Sequence, residues 1–292
     1  MHRTSFRILL IGALMFTVLS LVGSPAEAAR APATQPALAQ VGTFSNGAAI
    51  TVGTDAVLTL LPATPYPSTI AVSGLLGSIT DVDVTLSSVS HSRPDDFDVL
   101  VVGPGGQSVI LMSDACDTVD PGGVNYTFSD QAAAPLENGS GTNCSTTGTY
   151  QPSNYDGSAN SIEPDDFPAP GPGQVGGALL SGFNGTTANG TWSLYVVDDR
   201  PAGSQGGING GWSLTITTDS TPPTITSAAP PNGTDGVAYS HTYTATGNPA
   251  PTFALTLGAF PPGLSLAGAV LSGTPTTPGT YTGTVTASNG VS

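Results

Sequence analysis

Apolar and polar residues alternate over short stretches for most of the chain. The pattern is cleanest in Val82-Val84-Leu86, Trp192-Leu194-Val196 and Trp212-Leu214-Ile216, where polar residues or glycines fill the intervening positions. A period of two marks a strand with one face turned into a core. Similar runs at 41–44, 50–52, 70–75, 97–102, 108–112, 124–128 and 179–183, separated by Gly, Pro, Asn and Asp turn signals, predict about ten strands between residues 41 and 217. After the N-terminal segment no stretch carries the 3.6-residue period of an amphipathic helix. The expected fold is therefore all-β: two packed antiparallel sheets forming a jelly-roll sandwich.

Two regions break the pattern. Residues 136–177 have no sustained period and read as a long loop, which a compact domain tolerates only when it is pinned. Cys144 and the acids Asp156, Glu163, Asp165 and Asp166 are the candidate pins. Further on, Thr217 to Pro223 reads as a stiff polar hinge, giving a linker at 218–223 and a small second domain at 224–292. That domain is expected to carry strands at 224–228, 239–245, 252–257 and 281–287, and to be an incomplete sandwich, one strand short of closure.

Composition narrows the class. The 292 residues include 38 glycines and 26 prolines, which suit short strands with many turns. Residues 1–28 follow a secretory plan: Arg3 and Arg7, an apolar run from Ile8 to Val22, then Ala26-Glu27-Ala28 as a cleavage site. The Ala/Pro-rich stretch 29–40 reads as a disordered spacer, with order beginning near Val41. Localisation is expected to be extracellular, secreted or at the cell surface, with no membrane span once the signal is removed. Formal net charge is −15, and no lysine occurs anywhere in the chain. Such a surface repels phosphate backbones, so nucleic acid is excluded as a partner, leaving cations, neutral glycans and other proteins.

Candidate chemistry concentrates in His91 to Gly106, HSRPDDFDVLVVGPGG. Asp95, Asp96 and Asp98 crowd the entrance of an apolar strand, and Asp198 with Asp199 forms a second acidic group. Carboxylate oxygens of this kind suit a hard cation, and calcium is the candidate cofactor, with these five residues as candidate ligands. Asp114, Asp117 and Asp120 form a weaker group. None has EF-hand spacing, so any site must be assembled from loops distant in sequence. Cys116 and Cys144, the only two cysteines, are expected to form a disulfide in a secreted chain.

Taken together, DDFDVLVVGPGG at 95–106, YPSTIAVSGL at 66–75, NGTWSLYVVDD at 189–199 and GGWSLTI at 210–216 resemble the P domain of subtilisin-like proprotein convertases, also called P/Homo B. The resemblance covers about residues 41–217 and is nearest the stand-alone bacterial form. It implies a non-catalytic jelly roll, sometimes calcium-bound, that stabilises or targets a neighbouring protease. The excursion between Cys116 and Cys144 departs from that pattern. PPGLSL at 261–266, LSGTPTTPGTY at 271–281 and TVTASN at 284–289 resemble an Ig-like module related to cadherin repeats.

Proximity to protease families raises the question of catalysis. His91 sits beside acids, but no serine lies in a G-x-S-x-G elbow or a subtilisin-type G-T-S-x-A turn, and His241 falls in the other domain. His91 is expected to be a strand-end residue bonded to the following turn. The acid pairs 165–166 and 198–199 lack any sign of an opposed glycosidase arrangement. The sequence thus points to a non-enzymatic secreted β protein acting as an adhesive or accessory module, with proteins or glycans at the cell surface as partners. Two alternatives stand beside it. One is the accessory P-domain portion of a subtilisin-like serine endopeptidase whose catalytic domain lies outside this chain. The other is a glycan-binding module using Tyr150, Tyr155 and Trp192.

Overall fold

The computed structural model describes residues 37–54, 60–139, 141–155, 165–175, 177–200 and 205–291. The expected signal peptide, most of the spacer, and Asp156 and Glu163 lie outside the described residues. The chain divides into two compact units between Asp219 and Ser220. Both are built of strands, and no helix among the described residues is long and apolar enough to cross a membrane.

In the first unit the strands are Leu38–Asn46 (β1), Ile50–Val52 (β2), Leu61–Pro62 (β3), Ser68–Val72 (β4), Ser78–His91 (β5), Phe97–Val102 (β6), Ser108–Met112 (β7), Val124–Phe128 (β8), Gly148–Tyr150 (β9), Asp165–Phe167 (β10), Gly173–Val175 (β11), Gly190–Asp198 (β12), Gly206–Ile208 (β13) and Trp212–Ile225 (β14). One sheet runs β1-β14-β5-β13-β2, with β8 also paired to β5 and β9 paired to β8. The other runs β3-β12-β6-β7, with β4 also paired to β12. The β12–β6, β14–β5 and β6–β7 pairs are antiparallel, and β8 pairs with β9 in parallel. Inward residues from both sheets, among them Val84, Leu86, Val99, Trp192, Leu194 and Leu214, form one buried core. This is the expected sandwich. In β13 the glycines admit close pairing on both sides: a Cβ on Gly207 would stand 2.1 Å from the Ile50 carbonyl.

β6 is buried along nearly its whole length, unlike an alternating strand. The reason is a second apolar layer on the outer face of its sheet, where Leu100, Ile110, Tyr195 and Val197 pack against Phe167 of the β10–β11 hairpin. A sheet covered on both faces needs a continuous apolar run, and FDVLVV supplies it.

Several boundaries differ from expectation. β1 starts at Leu38, inside the region expected to be spacer. The region 136–177 is no featureless loop: it holds β9, β10, β11 and the bridge from Cys116 to Cys144, whose Cα atoms are 5.5 Å apart. Residues 180–183 form a short 3-10 turn, not a strand, because the Asp130 carboxylate accepts the backbone N–H groups of Leu180 and Ser181 at 2.9 and 2.7 Å. The expected hinge at 218–223 is extended as part of β14. Its β-favouring threonines keep the alternation going, and the two prolines, which cannot donate to a ladder, sit where the register shifts between Thr221 and Thr224.

The second unit contains Tyr239–Thr242 (β15), Ala245–Asn248 (β16), Thr252–Gly258 (β17), Leu264–Ala267 (β18), Val270–Gly273 (β19) and Gly283–Ser288 (β20). β15, β19 and β18 form one sheet, β17 and β20 another, and β16 pairs with the end of β14. Tyr239, Tyr243, Leu271 and Val285 are its buried centre. The β18–β19 hairpin was not among the expected strands, since its two short runs lie inside the Pro- and Gly-rich stretch that reads as turns.

Candidate metal centre

The period of two decides where the acids go. Phe97, Val99 and Val101 of β6 point into the core, so Asp98 points to the outer face with Leu100. On β12 the inward set is Trp192, Leu194 and Val196, which makes Asp198 inward and Asp199 outward. The neighbouring acids of each pair are thereby separated.

Inward, Asp198 is fully buried and its Oδ2 lies 3.2 Å from His91 Nε2. The other ring nitrogen of His91 is 2.6 Å from the carbonyl of Arg93, and the ring packs on Phe97. His91 ends β5, bonded to the following turn as the sequence leads one to expect. Asp96 is buried in the short 3-10 turn Pro94–Asp96, with Oδ2 3.2 Å from Arg93 Nε, and Asp95 Oδ2 is 3.8 Å from Arg93 Nη2. Burial first, then the Asp95 charge, pushes the Asp96 carboxyl up to about 6. Burial also raises that of Asp95.

Outward, Asp98 meets acids from two distant segments. Carboxylate oxygens of Asp98, Asp114 and Asp165 all lie within 4.8 Å of one another. β7 ends at Met112 beside the start of β6, which brings Ser113 and Asp114 to Asp98. Asp165 arrives on β10, carried by the hairpin whose Phe167 is buried beneath it. The Ser113 hydroxyl is 2.6 Å from Asp165 Oδ1 and 3.2 Å from Asp114 Oδ2, and its single proton can serve only one of them.

The electrostatics of this group are unfavourable as they stand. Asp98, 4% exposed, has its carboxyl pushed well above the usual range by burial and then by Asp165, Asp199 and Asp114, with a Ser113 hydrogen bond opposing. Burial, then Asp114, raises Asp199 to about 6. Asp165 is raised by burial, against hydrogen bonds from Ser113, its own backbone neighbourhood and Asn154. Two unit charges at such spacing repel by about 3 kcal/mol at an effective dielectric of about 20. Asp165 Oδ2 and Asp199 Oδ1 are buried without a hydrogen-bond partner among the described residues. A group of carboxylate oxygens with no nitrogen or sulfur among them fits a hard divalent cation, calcium before magnesium, because calcium takes several carboxylates in irregular geometry whereas magnesium usually keeps several of its waters.

Of the five acids expected as ligands, Asp98 belongs to this group and Asp199 borders it. Asp95 and Asp96 face Arg93, and Asp198 faces His91. Asp114 and Asp165, which were not among the five, are the acids grouped with Asp98. The inward and outward split of Asp198 and Asp199 was readable from the Trp192-Leu194-Val196 alternation, but no local signal places Asp114 or Asp165 beside Asp98.

Tyr150, Tyr155 and Trp192 do not form a sugar platform. Trp192 is fully buried, with its indole N–H donating to the Ala188 carbonyl at 2.9 Å. Tyr150 is 8% exposed, and Tyr155 packs on the core with its hydroxyl donating to Leu136 at 2.8 Å. Large aromatic rings on these strands are core residues by volume, and their polar tips find backbone carbonyls.

Residues 222–292 match the family described as "Putative Ig domain". The curated proteins give no match. Among solved structures, the complex of Aeromonas sobria serine protease with its chaperone shows 16% identity, covering 63% of this chain and 27% of that one, with a TM-score of 0.29. The A. sobria serine protease alone shows 15% identity with the same coverage and TM-score. The chain thus spans well under two thirds of the length of these structures.

Proposed function

We propose that this chain is a secreted, non-catalytic β-sandwich protein whose first unit is a P/Homo B-type jelly roll stabilised by calcium, with the Ig-like unit as a second accessory or adhesive module. The carrying observation is the convergence of Asp98, Asp114 and Asp165 from three separate segments, with Asp165 Oδ2 and the neighbouring Asp199 Oδ1 buried without a hydrogen-bond partner among the described residues. A structural cation would be held by these three carboxylates, with Asp199 at the margin, and would neutralise the repulsion between them. Support for a non-catalytic role comes from His91: it is 1% exposed and both ring nitrogens face protein oxygens. A general base needs hydrogen-bond access to a reacting group. Proteins or glycans at the cell surface are the partners compatible with this acidic, lysine-free chain.

Thermal unfolding with and without chelator tests the metal. A site filled to about a hundredfold its dissociation constant adds about 2.7 kcal/mol, a Tm rise of about 5 to 10 °C for a unit of this size. An unchanged midpoint removes calcium from the account. The motifs at 95–106 and 189–199 favour one second reading, the accessory portion of a subtilisin-like serine endopeptidase. Coding sequence adjoining this chain that carries a Ser-His-Asp catalytic domain would establish it, whereas further Ig-like or sorting modules there would count against it.

A further inference from the structure

The β10–β11 hairpin is fastened to the sheet beneath it at two chemically different points. At its tip the attachment is apolar: Phe167 is fully buried among Leu100, Ile110, Tyr195 and Val197. The Tyr66 hydroxyl donates to the Pro168 carbonyl at 3.0 Å, and Tyr195 donates to Pro170 at 3.2 Å. Gly171 lets the turn lie against Tyr66, since a Cβ there would stand 2.7 Å from the phenolic oxygen. At its base the attachment is electrostatic: Asp165, two residues from Phe167, faces Asp98 and Asp114. Without a cation, repulsion from the Asp98 and Asp114 carboxylates works against the Ser113 hydrogen bond to Asp165 and the apolar contact at the tip.

We infer that the hairpin Asp165–Val175 is a cation-locked strap: metal binding at Asp98, Asp114 and Asp165 closes it over the apolar outer face of the β3-β12-β6-β7 sheet, and metal loss releases it. This rests on the metal reading above. It adds that the metal acts chiefly on a local element, and that aromatic packing and metal affinity are thermodynamically linked. Linkage is reciprocal, so an ion that favours the closed strap must bind more weakly when closure is weakened from elsewhere. Phe167 does not belong to the carboxylate group, yet it sets how often Asp165 is in place.

The test uses the full secreted chain. Calcium binding is measured by titration calorimetry, and backbone hydrogen exchange is followed by mass spectrometry with calcium or with chelator. Chelation is expected to speed exchange at 165–175 about tenfold while β5 and β14 stay protected. Phe167→Ala is expected to weaken calcium binding about tenfold, with exchange in β5 and β14 as in the parent to show that the sandwich is intact. Asp165→Asn serves as a second variant, opening the strap even in calcium. If calcium binds but exchange at 165–175 does not respond, or if Phe167→Ala binds calcium as the parent does, the strap is overturned and the metal site stands. If calcium does not bind at all, both fall.

Discussion

Asp198 and Asp199 are adjacent in sequence and opposite in environment, because one strand step turns a side chain to the other face of its sheet. Asp198 finds His91 in the interior, and Asp199 joins the outer acids. Asp98 is the outer group's most buried member, and its charge has the least access to water. Burying an unpaired carboxylate is costly, whereas a neutral amide of the same shape keeps the packing and can still accept from Ser113. Asp98→Asn is therefore expected to act with opposite signs in two conditions. In chelator it should raise stability by about 1 to 2 kcal/mol, and in calcium it should remove most of the metal-dependent gain. Denaturant titrations of parent and variant in both buffers check this. A variant equally destabilised in both would show that Asp98 is held by protein donors alone.

At the scale of elements, the loop between β7 and β8 couples the disulfide to the carboxylate group. Asp114, Cys116 and Asp117 have φ of 51°, 75° and 46°, left-handed values that side-chain-bearing residues seldom adopt without outside support. The support is visible: Cys116 is bonded to Cys144, its N–H donates to Glu137 at 2.8 Å, and Asp117 accepts the N–H of Asp95 at 3.2 Å. Replacing both cysteines by serine should cost about 3 kcal/mol and also lower calcium affinity, since Asp114 loses its fixed backbone. Guanidinium unfolding gives the first quantity and calorimetric titration the second; unchanged affinity would dissociate the loop from the ion. The same loop marks the limit of what the sequence reveals. Strands with an unbroken period, such as 82–89 and 191–197, could be read directly because each residue's face follows from its neighbours. The disulfide followed from cysteine count and compartment. The meeting of Asp98 with Asp114 and Asp165 depends instead on strand register and hairpin docking, which are long-range properties. The segment expected as a hinge at 218–223 holds the division between the units, and its extended form was not legible because edge pairing with a register shift tolerates Pro222-Pro223.

At the scale of the whole molecule, the raised carboxyls make stability depend on pH in a direction opposite to that of most acidic proteins. Asp96 and Asp199 are lifted to about 6, and Asp95, Asp98 and Asp165 are also raised. Their unfolded value is about 3.9, so between about pH 4 and pH 6 the folded state holds more protons than the unfolded one. Stability of the metal-free protein should fall as pH rises through that window, and its contribution from these groups should be fully present only at the acid end. His241 works the other way in the second unit, where burial lowers its pKa, so that unit should lose stability as pH drops below about 6.5. A calcium ion held at Asp98, Asp114 and Asp165, as proposed, would compete with protons for the same oxygens. The calcium-induced rise in Tm should therefore be largest above about pH 7 and nearly vanish below about pH 5. Calorimetric scans at both pH values, each with calcium or chelator, resolve the two units and read both trends. A calcium effect of equal size at the two pH values would mean that the ion binds somewhere other than at the raised carboxyls.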